Sequence, residues 1–289
     1  MENQRIIVQR ARDLGGGFVV GRVLPVARQR MVGPFIFFDH LGPLELAPGI
    51  PRDLDIRPHP HIGLSTVTYL YKGAFTHRDS LGFEQEIRPG EVNWMTAGSG
   101  ITHSERLEYA RQHGAEMHGI QAWVALPTEN EEDDPEFHHY QGKEQLPEWS
   151  EAGVTGRIIA GEHNGAGAAV KTHSPLFYVH LTMNTGSRYG LPAEYSERAI
   201  YVAEGAIEVN GHPLLQGQML VLQDQNTAVL QAQENSIVML LGGEPIGERF
   251  IFWNFVSSSK ERIEQAKADW RAQRMKLPEG DDQEFIPLP

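Results

Sequence analysis

Apolar and polar residues alternate in short runs along this chain, and glycine or proline closes most of the runs. The stretches STVTYLYKG, GFEQEIRPGEVNWMTAG and GIQAWVALP have the period of two expected of strands, with turn residues at their ends. The same grammar returns in LFYVHLTM, RAIYVAEGAIEVNG, QMLVLQ, TAVLQAQ and SIVMLLGGEP. Many short strands at close spacing predict an all-β sandwich or barrel. Asn210-Gly211 suits a type I′ hairpin turn. Between the two strand-rich halves lies TENEEDDPEFHHYQGKEQLPEWSEAG, which is acidic and poor in β-branched residues. It reads as a connection plus an irregular segment, so the chain divides into residues 1–140 and 141–289. Strand and glycine-turn order repeats between the halves, which suggests a duplicated barrel. One helix is expected near the end. Ser258 with Glu261 fits a capping box, and Ile263, Ala266 and Trp270 form one apolar stripe. The tail EGDDQEFIPLP reads as a non-helical strap.

Composition narrows the possibilities. The length of 289 residues suits two domains, and a hydrophobic content of 40% is that of a globular chain. No apolar run reaches the length of a membrane helix, and the first residues carry charges where a secretory signal has an apolar core. A cytoplasmic protein is expected. Cysteine is absent, which removes thiolate catalysis and Cys-ligated metals. A formal net charge of −13 disfavours direct nucleic acid binding.

The 13 histidines carry the candidate chemistry. PHPHIG holds His59 and His61 at i and i+2, which in a strand project to one face. GSGITHSER holds His103 and Glu105 at the same spacing. If the two strands are neighbours, three imidazoles and a carboxylate converge, a donor set suited to a divalent first-row metal. Chance histidines in a polar loop are the competing reading. His138 and His139 read as solvated, His163, His173 and His212 as turn neighbours, and His180 as a core residue. His77 and His113 show no partner at useful spacing. Either a supporting hydrogen bond or a half-exposed strand position fits His118. Phe35, Phe37 and Met95 fit core packing better than an apolar mouth. Asp39 and His40 in DHLGP look like a turn.

Taken together, FIFFDHLGP, HPHIGLSTVTYLYKG, PGEVNWMTAGSGITHSE and HGIQAWVALP resemble, in order, the blocks of the pirin family of bicupins. The resemblance implies two stacked cupin-type β-barrels with terminal segments exchanged and a short C-terminal helix. It places His59, His61, His103 and Glu105 at the family's metal-ligand positions. The implied metal is iron, with Mn, Ni, Co, Cu or Zn as alternatives. The general cupin pattern has a glutamate soon after His-x-His. Here Ser65 and Thr66 stand there, and Glu105 supplies the carboxylate. The equivalent stretch of the second half, AEYSERAIYVAEG, contains no histidine, so that barrel is expected to be metal-free.

For function, the resemblance implies a quercetin 2,3-dioxygenase-like enzyme that opens a flavonol with O₂, with Glu105 as ligand or general base. The substrate would be a small, flavonol-like aromatic. The alternative is an iron-dependent regulatory protein that binds a transcription factor or a metabolic enzyme. A structural zinc barrel is a third reading, weakened by the open, cysteine-free donor set. A monomer without membrane contact is the expected form.

Overall fold

The alternating runs do form strands. The computed structural model describes residues 4–222 and 225–289 of the protein. Met1–Asn3, Gln223 and Asp224, which include the last residue of the expected QMLVLQ strand, lie outside the described residues. The chain forms two compact units, each containing a cupin-like domain of antiparallel sheets. Of the described residues, the first comprises 4–10, 21–40, 140–222 and 225–245, and the second 11–20, 41–139 and 246–289.

In the first unit, the core lies between an eight-stranded and a four-stranded sheet. Val179, Leu181, Ile200, Val202, Leu230 and Leu240 are fully enclosed there. The amino-terminal strand Gln4–Val8 pairs antiparallel with Gln218–Leu222. Asn210 and Gly211 have φ of 50° and 80°, the two positive values a type I′ turn needs. DHLGP is not a turn. It lies inside the twelve-residue strand Phe35–Leu46. Arg22 forms a bidentate pair with Asp39 at 2.8 Å, and Tyr201 meets His40 Nδ1 at 2.8 Å. Phe35 and Phe37 are buried, and the Arg22 guanidinium lies over the Phe37 ring.

The second unit carries both histidine pairs. One sheet has the strand order Ile56–His61, Ile101–Arg106, Phe75–Asp79, Glu84–Ile87. The facing sheet contains Leu64–Lys72, Val92–Thr96, Ala115–Ala125 and Glu136–Tyr140. The last of these lies within the stretch expected to be an irregular connection. Glu136–Tyr140 alternates well enough to pair at the sheet edge and buries Phe137, which the acidic flanks conceal. Leu70, Phe75, Ile87, Leu107 and Met117 form an apolar core below the site.

The expected helix runs Lys260–Arg271 and buries Ile263, Ala266 and Trp270. Its cap is one residue later than anticipated. Ser259 Oγ accepts from Arg262 N, while Ser258 donates N–H and O–H to Glu131. Two serines in succession can both cap, and the buried Glu131 carboxylate captures the first.

The tail is a strap with a polar anchor. Strand Ile101–Arg106 turns His103 and Glu105 inward and Thr102, Ser104 and Arg106 to its other face. Thr102 donates to the Lys276 carbonyl. Asp281 accepts from Ser104 Oγ at 2.6 Å and from Arg106 Nε and Nη2 at 2.7 and 2.5 Å. Ile286 N donates to the Pro58 carbonyl, one residue before His59. Arg106 is only 1% exposed, so its charge depends on these partners and on Asp55.

Replacing Asp281 by Asn should therefore destabilise the protein by about 2 kcal/mol in urea unfolding, the scale of a hydrogen bond to a charged group. A loss too small to measure would show that the strap is not anchored there. Burial pushes the Asp281 carboxyl up, but bonds from Arg106 and Ser104 outweigh it and hold the group below its ordinary 3.8. The stabilisation is thus complete above pH 3.8 and fades as pH falls below it through the depressed folded value. The Asp281→Asn variant should lack that part of the acid dependence.

Candidate metal centre

The two strands that carry the candidate pairs are neighbours, as convergence requires. His103 pairs directly with His59, and Ile101 with His61. Glycine makes the return turns possible. Gly63, two residues after the first pair, has φ of 67°, and a Cβ there would lie 2.1 Å from the Val256 carbonyl oxygen. Gly98, before the second pair, has φ of 50°, and a Cβ would lie 2.0 Å from the Asp133 carbonyl oxygen.

His59, His61 and His103 each offer a ring nitrogen within 4.8 Å of the other two. All three are buried. The rings are mutually tilted, with centroids 4.4–5.0 Å apart. Burial and the neighbouring imidazoles push His61 and His103 well below the ordinary histidine range. Burial lowers His59 to about 4, against a hydrogen bond to the Arg57 carbonyl that favours its charged form. All three are therefore neutral at pH 7, the form that ligates a metal.

The hydrogen bonds show which nitrogens remain. His59 Nδ1 donates to the Arg57 carbonyl at 2.8 Å, leaving Nε2 with its lone pair. His61 Nδ1 and Nε2 and His103 Nε2 are buried without a hydrogen-bond partner. The Asn254 backbone favours a charged His61 ring but lacks hydrogen-bond geometry to it. Orphaned polar atoms of this kind are costly in an interior. A cation accepting the lone pairs removes that cost, so these residues fit a metal ion.

Glu105 is also buried, two residues beyond His103. Its oxygens fall outside the set of atoms that lie within 4.8 Å of one another. The register explains the offset. Between His103 and Glu105 the pairing slips by one residue, so Glu105 opposes Ile56. Such a bulge re-aims the side chains beside it. Burial raises the Glu105 carboxyl to about 7 against a bond from Thr68 that lowers it. Thr68 Oγ1 lies 3.2 Å from Glu105 Oε1 and 2.8 Å from the Gln121 amide. One hydroxyl carries one proton. Both contacts are satisfied when Gln121 presents its NH₂ and Thr68 donates to Glu105.

Several site residues escaped the sequence reading. His77 does have a partner, because the strand Phe75–Asp79 pairs with Ile101–Arg106. His77 Nδ1 lies 3.3 Å from His103 Nδ1, and its Nε2 lies 2.8 Å from Asp79 Oδ2. The His77 ring stacks on Phe137 at 4.2 Å. Trp123 meets the His61 ring edge-on at 5.1 Å. Gln121 and Trp123 alternate with the core residues Ile120, Ala122 and Val124, which was the available signal. His118 is buried against Tyr71, and Met95 packs with Ala97, Ile101 and Phe137. His139 is half-buried and meets Asn93 Oδ1 at 2.7 Å, so it is not solvated as expected. In the other unit, His163 Nε2 meets Tyr189 Oη at 2.5 Å. Among the described residues, the one histidine and carboxylate group with metal-binding geometry is the triad in residues 41–139.

Two cupin-like domains, one of which holds a buried imidazole triad, define the protein as a bicupin with a candidate metal centre. The chain belongs to the pirin family: residues 17–124 match the Pirin model and residues 178–276 match the Pirin C-terminal cupin domain. A pirin-like protein of Caulobacter vibrioides is 61% identical over 280 residues, covering 97% of each chain. The crystal structure of quercetin 2,3-dioxygenase from Acinetobacter baumannii is 33% identical, with a TM-score of 0.92. That match covers 100% of this chain and 95% of the other. A bacterial pirin of Escherichia coli, solved in complex with nickel(II), shares the fold at 18% identity and a TM-score of 0.64. It covers 84% of this chain and 99% of that one. Among the described residues, no helix is long and apolar enough to cross a membrane.

The triad makes a direct prediction. Metal-free protein titrated with nickel(II) in a calorimeter should take up one ion per chain and unfold at a higher temperature afterwards. A His61→Leu variant should lose both effects. Without metal it should be at least as stable as the parent, because two orphaned buried nitrogens are removed. Parental affinity in His61→Leu would remove His61 from the centre.

Proposed function

We propose that the protein is a metal-dependent dioxygenase of the quercetin 2,3-dioxygenase type, which opens a flavonol with O₂. The observation that carries this reading is a triad of neutral, buried imidazoles with the buried Glu105 carboxylate two residues beyond His103 and bonded to Thr68. The likeness to the Acinetobacter enzyme over the full chain supports it. His59, His61 and His103 would hold the ion, with Glu105 as a fourth ligand or as the proton acceptor. Bound there, a redox-active divalent metal, iron on this reading, supplies Lewis acidity and a path for electrons between substrate and O₂.

The protein's own groups have distinct tasks. Glu105 takes the proton of a flavonol hydroxyl at a carboxylate oxygen. Its raised affinity for protons, near neutrality without a metal, suits a group that accepts and returns one. Thr68 holds Oε1 so that the other oxygen is available. Trp123, edge-on to His61, keeps water from that side of the centre. The same reading has a flavonol-like aromatic and O₂ as substrates, a monomer as the working unit and the cytoplasm as its place. The second half of the chain then serves as a metal-free partner domain.

Oxygen uptake with a flavonol panel, normalised to bound metal, tests the reading. Metal-loaded parent should consume O₂ only with substrate present. Glu105→Gln keeps the shape but removes the base, so uptake should fall by about 10²–10⁴ if the carboxylate moves the proton. No uptake by loaded parent protein would overturn the enzyme reading in favour of an iron-dependent regulator. Unchanged uptake in Glu105→Gln would remove Glu105 from the proton chemistry.

A further inference from the structure

A ligand histidine must present a lone pair to its ion, and the proton on its other nitrogen needs an acceptor. For His59 the acceptor is the Arg57 carbonyl. For His103 it is another histidine. The Nδ1–Nδ1 contact of His103 and His77 is 3.3 Å, and a hydrogen bond there needs one proton between two nitrogens. Asp79 decides which ring supplies it.

Both Asp79 oxygens are committed. Oδ1 accepts from Leu81 N at 2.9 Å and Phe83 N at 3.1 Å, fixing the carboxylate in its turn. Oδ2 faces His77 Nε2 at 2.8 Å. A carboxylate accepts, so His77 carries its proton on Nε2 and its Nδ1 is the acceptor. His103 then donates from Nδ1, and its Nε2, buried and without a partner, is left with the lone pair. Phe137 stacks flat on His77 at 10° and keeps the ring in that plane.

We propose that Asp79 and His77 are positioning residues that act through His103, holding it in the one tautomer able to ligate at Nε2. The inference rests on the reading of His103 as a ligand, and not on the reaction assigned to the centre. It assigns a role to a buried pair that lies outside the ligand set. Neither residue belongs to the group that could hold an ion. The order of protons runs outward from the ion's position, through His103 and His77, to a carboxylate locked by two backbone N–H groups.

Asp79→Asn inverts the chain by one atom. Asn Oδ1 keeps the two turn bonds, so Nδ2 faces His77 Nε2 as a donor. His77 must then accept at Nε2 and carry its proton on Nδ1. His103 Nδ1 becomes the acceptor, and the proton moves to His103 Nε2, where the ion belongs. His77→Gln preserves an acceptor for His103, whereas His77→Phe keeps the stack on Phe137 and lacks one.

Nitrogen-15 NMR of metal-free protein labelled at histidine reads the tautomer directly. The parent should show His103 protonated at Nδ1 with a pyridine-like Nε2, and Asp79→Asn should show the reverse. Nickel(II) calorimetry should show affinity reduced about 10–100-fold in Asp79→Asn and His77→Phe. His77→Gln should stay within a few-fold of the parent. A parent His103 protonated at Nε2 overturns the proposal whether or not nickel binds. Parental affinity in His77→Phe also overturns it, since packing alone would then suffice. Failure of the parent to bind nickel, with the expected tautomer present, would tell against the metal centre and leave the proton order established. Loss of flavonol oxygenation with nickel affinity intact would tell against the reaction alone.

Discussion

Three imidazoles buried together without a counter-charge among them are the constraint around which the second unit is built. In water each ring would hydrogen-bond at both nitrogens. In the interior, His61 has neither nitrogen bonded and His103 has one free. Burial also drives each ring to its neutral form, so charge repulsion is removed and lone pairs take its place. The surrounding structure fixes where those lone pairs point. Strand pairing sets the spacing of His59 and His103, the Arg57 carbonyl and the His77–Asp79 pair orient two rings, and Trp123 confines the third. A rigid β-framework is well suited to hold several groups in one geometry, which is what ligation needs.

How much of this was legible in the sequence follows from what each feature depends on. The strands and the helix rest on local period, and both were readable. The two i, i+2 pairs were readable for the same reason. Glycines at positions 63 and 98 marked the turns that bring them together, since only a residue without Cβ clears the facing carbonyls. The offset of Glu105 was not readable, because it arises from a register slip that no local pattern records. His77 was missed for a related reason. Its spacing to the ligands in sequence is uninformative, and only the cross-strand pairing of Phe75–Asp79 with Ile101–Arg106 makes it a neighbour. DHLGP misled because Asp, Gly and Pro together usually mean a turn. Here Asp39 is neutralised by Arg22 inside a long strand.

The strand Ile101–Arg106 shows how stability and site geometry are joined. Its inward face carries His103 and Glu105, and its outward face is held by a tail 174–177 residues away in sequence. Because successive side chains alternate, any slip of the strand that releases Arg106 from Asp281 also carries His103 out of line with His59. The anchor is polar, and this has a structural consequence. An apolar tail would press on the strand without fixing its register, since hydrophobic contact is non-directional. The Arg106–Asp281 pair is bidentate and supplemented by Ser104, so it specifies one register and one orientation. The tail also bonds to the neighbouring ligand strand through Ile286 and Pro58. The two histidine-containing pairs, which sequence places 42 residues apart from His61 to His103, are thus locked from behind by one segment. Residues 276–286 therefore hold the candidate metal centre from behind, through Thr102, Ser104, Arg106 and Pro58.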